Sequence, residues 1–492
     1  MVIKIPPARL LSFYTNIFRT IHDRMFGMST KKLPLGTKEL PKAPKLKKII
    51  GPSFIILGLG LGSGEIIMWP YLASNYGLGM VWGIVIGITM QFFINMEVER
   101  YALINGESVF VGFARMLKWL PIWFILSTFL GFGWPGIGLA GATLLSEAFN
   151  ISEPRIVGVC VFVLIGLILS FGKVLYKTVE SLQKVLIGVG VPFVVILTLY
   201  LAKKSDYAAL ANGVVGIGEG FSFLPIGIAM GTFLGAIAYA GAGGNLNLTQ
   251  SCYVRDKGYG MGAYADKITS LFTSKKKKKY SLTGNTFKTD EKNMKRFRKW
   301  WKIVNLEHFL IFWVLGIITM FTLALLAYTT SYGAEGNAEG IQFVINEATA
   351  IGRGTAYSIG ILFMIVTGIM LSATQLTVLD STSRIITENV LLMFRKKSFN
   401  VSKVYYTILW VQIAFGIMVF TVGFDQPLKL IILGAIINAF TMFVYSGLIL
   451  FLNNNLLKKL VRPSLFRNLA MLATFVFLGV FCFLTMKEKL GL

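Results

Sequence analysis

The sequence predicts an all-α membrane protein: two five-helix repeats of inverted topology followed by an eleventh transmembrane helix. Three observations predict it. Hydrophobic residues make up 55% of the 492-residue chain and charged residues only 14%, and the apolar residues gather into runs of roughly 20, the length that crosses a bilayer as a helix. These runs are continuous, whereas a transmembrane barrel strand alternates. Finally, the first and sixth runs are both rich in glycine near their centres.

Eleven runs are found, at 49–72, 78–96, 119–148, 155–171, 184–202, 222–251, 303–329, 354–379, 403–422, 427–452 and 467–486. The loops on one side of them (1–48, 97–118, 171–184, 252–302, 380–403 and 452–468) hold 41 of the 48 Lys and Arg residues. Positive charge stays on the cytoplasmic side, so the N-terminus is expected inside and the C-terminus outside. The same partition disposes of nucleic acid as the reason for the net charge of +25. Basic runs beside spans meet anionic membrane lipids at the cytoplasmic face.

In chain order, 1–48 reads as a cytoplasmic tail. Leu10, Phe13, Tyr14, Ile17, Phe18 and Ile21 recur at helical spacing, the pattern of an amphipathic helix lying on a membrane. The tail is too polar for a cleavable signal. Residues 49–202 form the first repeat. Residues 203–452 form the second and include the basic loop 252–302, with Lys275–Lys279 and a Trp300-Trp301 pair flanked by cations. Residues 453–492 supply a loop and the eleventh helix.

Within the first run stands Gly58-Leu59-Gly60-Leu61-Gly62-Ser63-Gly64-Glu65. A carboxylate deep in a bilayer costs about 2.5–3.5 kcal/mol on insertion scales, so Glu65 is expected to face a protein interior and to have a function. Glycines weaken a helix, and an unwound membrane helix survives only where it lines a site. The sixth run has the same character: Gly227, Gly231, Gly235, Gly241, Gly243 and Gly244 precede Asn245-Leu246-Asn247. Two interrupted helices five apart in inverted halves predict a secondary transporter with its site between the breaks. An enzyme is not expected. Cys160, Cys252 and Cys482 are scattered, His22 and His308 are the only histidines, and no nucleophile–base pair or nucleotide loop is present.

These residues resemble a known family. Gly51-Pro52-Ser53-Phe54, Gly62-Ser63-Gly64-Glu65, Ala73-Ser74-Asn75-Tyr76-Gly77 and Trp82 are similar to the first span of the Nramp divalent-metal transporters, of the LeuT type. The match runs without gaps to Asn105-Gly106-Glu107 and more loosely over roughly 45–455. The resemblance implies a metal site where the family has Asp-Pro-Gly-Asn, which here reads Gly62-Ser63-Gly64-Glu65. The family's Met-Pro-His falls on Ala242-Gly243-Gly244, a second His on Thr249 and a tenth-span Gln on Ala435. Its third-span carboxylates have no counterpart near Gly131 and Trp134.

The expected site is therefore altered: Glu65 as sole anion, backbone carbonyls around Gly62, Ser63 and Ala242, and the amides of Asn245 and Asn247. Without a thioether it suits a hard, hydrated cation such as Mg²⁺, with Mn²⁺ also admitted. The cation is cargo, and no resident cofactor is expected. The alternative is a LeuT-type carrier of amino acids or another small organic solute, held by free backbone N–H groups. For Glu65 and the two asparagines, helix capping is the competing role.

Gln375, Thr377, Asn438 and Thr441 are candidate pathway residues, or simple interhelical hydrogen-bonding groups. Asp380 and Arg384 are read as an i,i+4 pair at a helix end. Glu97, Glu99 and Arg100 are read as a cytoplasmic gate or, preferably, a solvated helix end. Glu335, Glu339 and Glu347 are read as soluble loop acids.

Overall fold

The computed structural model describes residues 34–44, 51–171, 175–266, 281–394, 400–423 and 426–491. The tail helix proposed over Leu10–Ile21 and the Lys275–Lys279 run lie outside them. Ten helices among the described residues are long and apolar enough to cross a membrane. They are span 1 (Pro52–Tyr76), span 2 (Leu78–Asn105), span 3 (Leu120–Ala148), span 4 (Pro154–Phe171), span 5 (Leu175–Leu201), span 7 (Glu291–Ser331), span 8 (Tyr357–Phe394), span 9 (Val401–Thr421), span 10 (Pro427–Asn455) and span 11 (Leu465–Leu490). The sixth expected span is present but broken into Met230–Ala238, a 3₁₀ segment Gly244–Thr249 and Gln250–Lys257. The protein is an integral, multi-pass, all-α membrane protein.

The breaks follow from local chemistry. In span 6 the chain leaves the helix at Tyr239 and passes through Gly241, Gly243 and Gly244, with φ of +156°, +72° and +43°. A residue bearing Cβ is strained at such angles. Span 3 is interrupted at Gly133-Trp134-Pro135, between helices Leu120–Phe132 and Gly136–Ala148, because proline lacks an N–H and clashes with the preceding turn.

Span 1 departs from expectation. It does not unwind at its glycines; Leu61–Met68 continues as a π-helix, and the Trp69 N–H reaches back to the Gly64 carbonyl. The glycines serve close packing instead. A Cβ on Gly60 would fall 2.7 Å from the backbone of Gly241, and one on Gly64 would overlap the Tyr239 carbonyl oxygen. Small residues four apart let two membrane helices touch backbone to backbone.

Several helices outrun their apolar runs. Span 2 continues to Asn105 and span 8 to Phe394, because most charged residues past the apolar run are buried against opposite charges, while Glu99 takes the Gln250 amide. The tail segment before span 1 is tied to span 7: Gly36–Thr37 pairs in parallel with Asn285–Thr286, Leu40 N–H donates to Asn293 Oδ1, and Trp300 Nε1 donates to the Pro41 carbonyl.

Candidate functional site

Glu65 lies in the π-helical stretch and is fully buried. Neither carboxylate oxygen has a hydrogen-bond partner among the described residues. Its near polar neighbour is Thr319 on span 7, whose hydroxyl is committed to the carbonyls of Leu315 and Gly316 at 3.0 Å each. Both of those bonds lie within span 7 and neither reaches Glu65. Leu61, one turn away, borders a small apolar cavity with Val191, Val194, Thr319 and Met370. Ser63 is buried with an unpartnered hydroxyl. A side chain at Gly62 would strike Thr374.

Asn245 and Asn247 sit in the 3₁₀ segment of span 6, both fully buried. Asn245 Nδ2 donates to Ser127 Oγ and Thr128 Oγ1 on span 3, each at 2.8 Å. Asn247 Nδ2 donates to the Tyr445 hydroxyl on span 10 at 3.0 Å. Both Oδ1 atoms are left without partners. Asn438 on span 10 donates from Nδ2 to the Gly131 carbonyl and the Tyr239 hydroxyl, 3.0 Å each. Its Oδ1, lying against Gly244, is likewise unpartnered. The unsatisfied side-chain groups around the break are thus mostly acceptor oxygens, which suits a cation. Ala242 is buried within the break.

Of the remaining pathway candidates, Gln375 and Thr377 hold helices together, and Thr441 bonds within its own helix. Gln375 Oε1 accepts the Gly138 N–H at 3.0 Å, capping the second half of span 3. Thr377 donates to the Ala373 carbonyl and takes the Gln183 amide, and Thr441 donates to the Ile437 carbonyl. Of the capping role weighed for the asparagines, no side-chain cap is found at either helical piece after the span 6 break.

A residue that sequence reading passed over does staple the break. Gln91 of span 2 donates to the carbonyls of Ile237 (3.3 Å) and Ala238 (3.0 Å) and accepts the Gly243 N–H (3.0 Å). Its signal was an amide in the middle of an apolar run, and an uncompensated amide is costly there.

The charged residues need three corrections. Glu97, Glu99 and Arg100 are not a solvated helix end; all are buried, since span 11 and span 10 cover them and Glu97 binds Arg100, Arg467 and Asn453. Asp380 and Arg384 are the expected i,i+4 pair, with Nε to Oδ distances of 3.0 and 2.9 Å, but they lie inside span 8, both at 2% exposure or less. Arg384 also pairs with Asp256 of span 6 at 2.5 Å. Glu347 is no soluble loop acid: it is buried in the helix Gln342–Gly354 between spans 7 and 8, and burial holds its carboxyl well above the usual range. Elsewhere the acids are matched: Glu107 with Arg115, Glu180 with Lys257, and Glu388 with Arg255.

The same overall fold occurs in solved structures. A manganese transporter of Eremococcus coleocola superposes with a TM-score of 0.67 at 12% identity, over 94% of this chain and 91% of that one. Mhp1, a nucleobase-cation-symport-1 family transporter, does so at 0.52 and 14%, over 93% and 95%. MhsT, solved with L-phenylalanine, does so at 0.50 and 14%, over 91% and 99%. The fold is of the LeuT type. The likeness to these proteins is one of fold, and it agrees with the resemblance carried by the first span. No family model matches this LeuT-type chain, and no curated protein matches its sequence. Among its described residues no three His, Cys, Asp or Glu side chains form a metal cluster.

Proposed function

We propose that the chain is a secondary transporter of divalent metal cations, with Mg²⁺ favoured and Mn²⁺ admitted. The observation that carries this reading is Glu65: a fully buried carboxylate in the middle of a span, with neither a hydrogen-bond donor nor a cationic side chain as partner among the described residues. Such a group is unfavourable unless something positive comes to it. In a LeuT-type fold the cargo is the natural candidate, and a manganese transporter is among the similar structures.

Glu65 supplies the negative charge. The oxygens of Asn245 and Asn247, the Ser63 hydroxyl and the carbonyls near Gly62 and Ala242 supply further oxygen ligands. Glu65 faces span 7 while the asparagines face spans 3 and 10, so direct coordination by all of them requires span 1 to shift. Its π-helical stretch is the element able to do so, since π-bulges are poorly bonded and recur at functional sites. One acid and neutral oxygens bind a cation that keeps most of its water, the habit of Mg²⁺.

The test is uptake in proteoliposomes across Mg²⁺, Mn²⁺ and Zn²⁺. Wild type is expected to carry Mg²⁺ and Mn²⁺ in preference to Zn²⁺. Zn²⁺ preference, or amino-acid uptake without cation uptake, would overturn the proposal.

A further inference from the structure

A second carboxylate shares the peculiarity of Glu65. On span 2, Gln91, Asn95 and Glu99 stand at i, i+4 and i+8, one face of the helix, and all three are fully buried. Gln91 is at the break of span 6. Glu99 is two turns nearer the basic loops, where the Gln250 amide of span 6 donates to its Oε2 at 3.1 Å. Among the described residues, the other oxygen of each partner, Glu99 Oε1 and Gln250 Oε1, has no donor, and neither polar atom of the Asn95 amide has a partner.

Every other buried acid at this end is provided for. Most have an Arg or Lys, and Glu307 of span 7 takes the Gly51 N–H and the Ser53 hydroxyl at the start of span 1. Glu99 has an amide alone. A buried carboxylate with no cationic partner is a place where a bound cation supplies the missing positive charge.

We propose that Glu99, with the carbonyl oxygens of Gln250 and Asn95, forms a second divalent-cation site on the basic-loop side of the span 6 break. A cation leaving Glu65 in that direction meets it along the Gln91–Asn95–Glu99 face. The inference rests on the reading that the chain carries a divalent cation. The donor set is again all oxygen with one carboxylate in contact, so the ion remains partly hydrated.

Mn²⁺ binding to the purified full chain, counted by electron paramagnetic resonance of free Mn²⁺, tests this separately from transport. Wild type should bind two ions per chain. Glu99→Gln and Glu65→Gln should each bind one, and the double variant none. Gln250→Leu, which removes the proposed ligand oxygen together with the amide donor to Glu99 and touches no charge, should weaken the second site about tenfold or more, about 1.4 kcal/mol at that ratio. Undiminished stoichiometry in Glu99→Gln would overturn the second site, whatever Glu65→Gln does. Retained uptake in Glu65→Gln would instead overturn the proposed function.

Discussion

Replacing Gln91 with leucine should loosen the span 6 break without changing any charge. The side chain makes three hydrogen bonds, to the Ile237 and Ala238 carbonyls and from the Gly243 N–H, and leucine can make none of them. Each orphaned backbone group costs roughly 1–3 kcal/mol in a protein interior. Measured interhelical bonds in membranes average nearer 0.6 kcal/mol because the groups find substitutes. Three together give an expected loss of about 2–4 kcal/mol. In detergent this should appear as a fall of several degrees in the apparent melting temperature, with cation uptake reduced as well. Gln91→Glu is the internal control: it keeps the acceptor for Gly243 and loses the two donors, so its defect should resemble leucine's or exceed it. A Gln91→Leu protein with wild-type melting and uptake would refute the idea that this amide holds the break open.

Other predictions follow from the packing and the ion pairs. Gly64→Ala should fail to assemble, because its Cβ would overlap the Tyr239 carbonyl, whereas Gly188→Ala, with nothing within 4 Å, should melt like wild type; equal yields of both would contradict the glycine contact. Arg384→Met removes the cation that buried Asp256 and Asp380 share, leaving Asp380 only tyrosine hydroxyls, and should cost about 3–5 kcal/mol, with Asp256→Asn and Asp380→Asn together restoring much of it. If the triple variant melts no higher than Arg384→Met, the ion-pair account fails. Glu347 is more basic in the folded protein than its ordinary 4.5, so the folded state binds its proton more tightly. Its contribution is present at low pH and is lost as pH rises through the raised value. Glu347→Gln should therefore flatten the fall in melting temperature as pH rises above 4.5, and an unchanged pH profile would exclude Glu347 as its source.

The sequence made the class of fold legible because bilayer length and charge partition act on whole segments. The ten long spans and the broken sixth span correspond one for one to the eleven apolar runs. Helix ends were less legible, since an apolar-run criterion stops at the first charge; in spans 2 and 8 the helix continues through Glu97, Glu99, Asp380 and Arg384, which are buried by pairing with one another or with distant residues. Glycine was ambiguous for a physical reason. The same residue permits positive φ at Gly243 and backbone contact at Gly60 and Gly64, and composition does not separate the two. At the candidate site, Glu65 stood out because an acid among apolar residues is expensive wherever it sits. Gln91 and the missing partner of Glu99 depended on what lay opposite, which only the folded chain supplies.

The central claim is that Glu65 provides the charge that carries the cation. Uptake of Mg²⁺ and Mn²⁺ into proteoliposomes by Glu65→Gln tests it most directly, because the amide keeps the shape of the side chain and removes its charge. The account predicts loss of uptake in a protein that still folds and melts like wild type. Full uptake by that variant would contradict it.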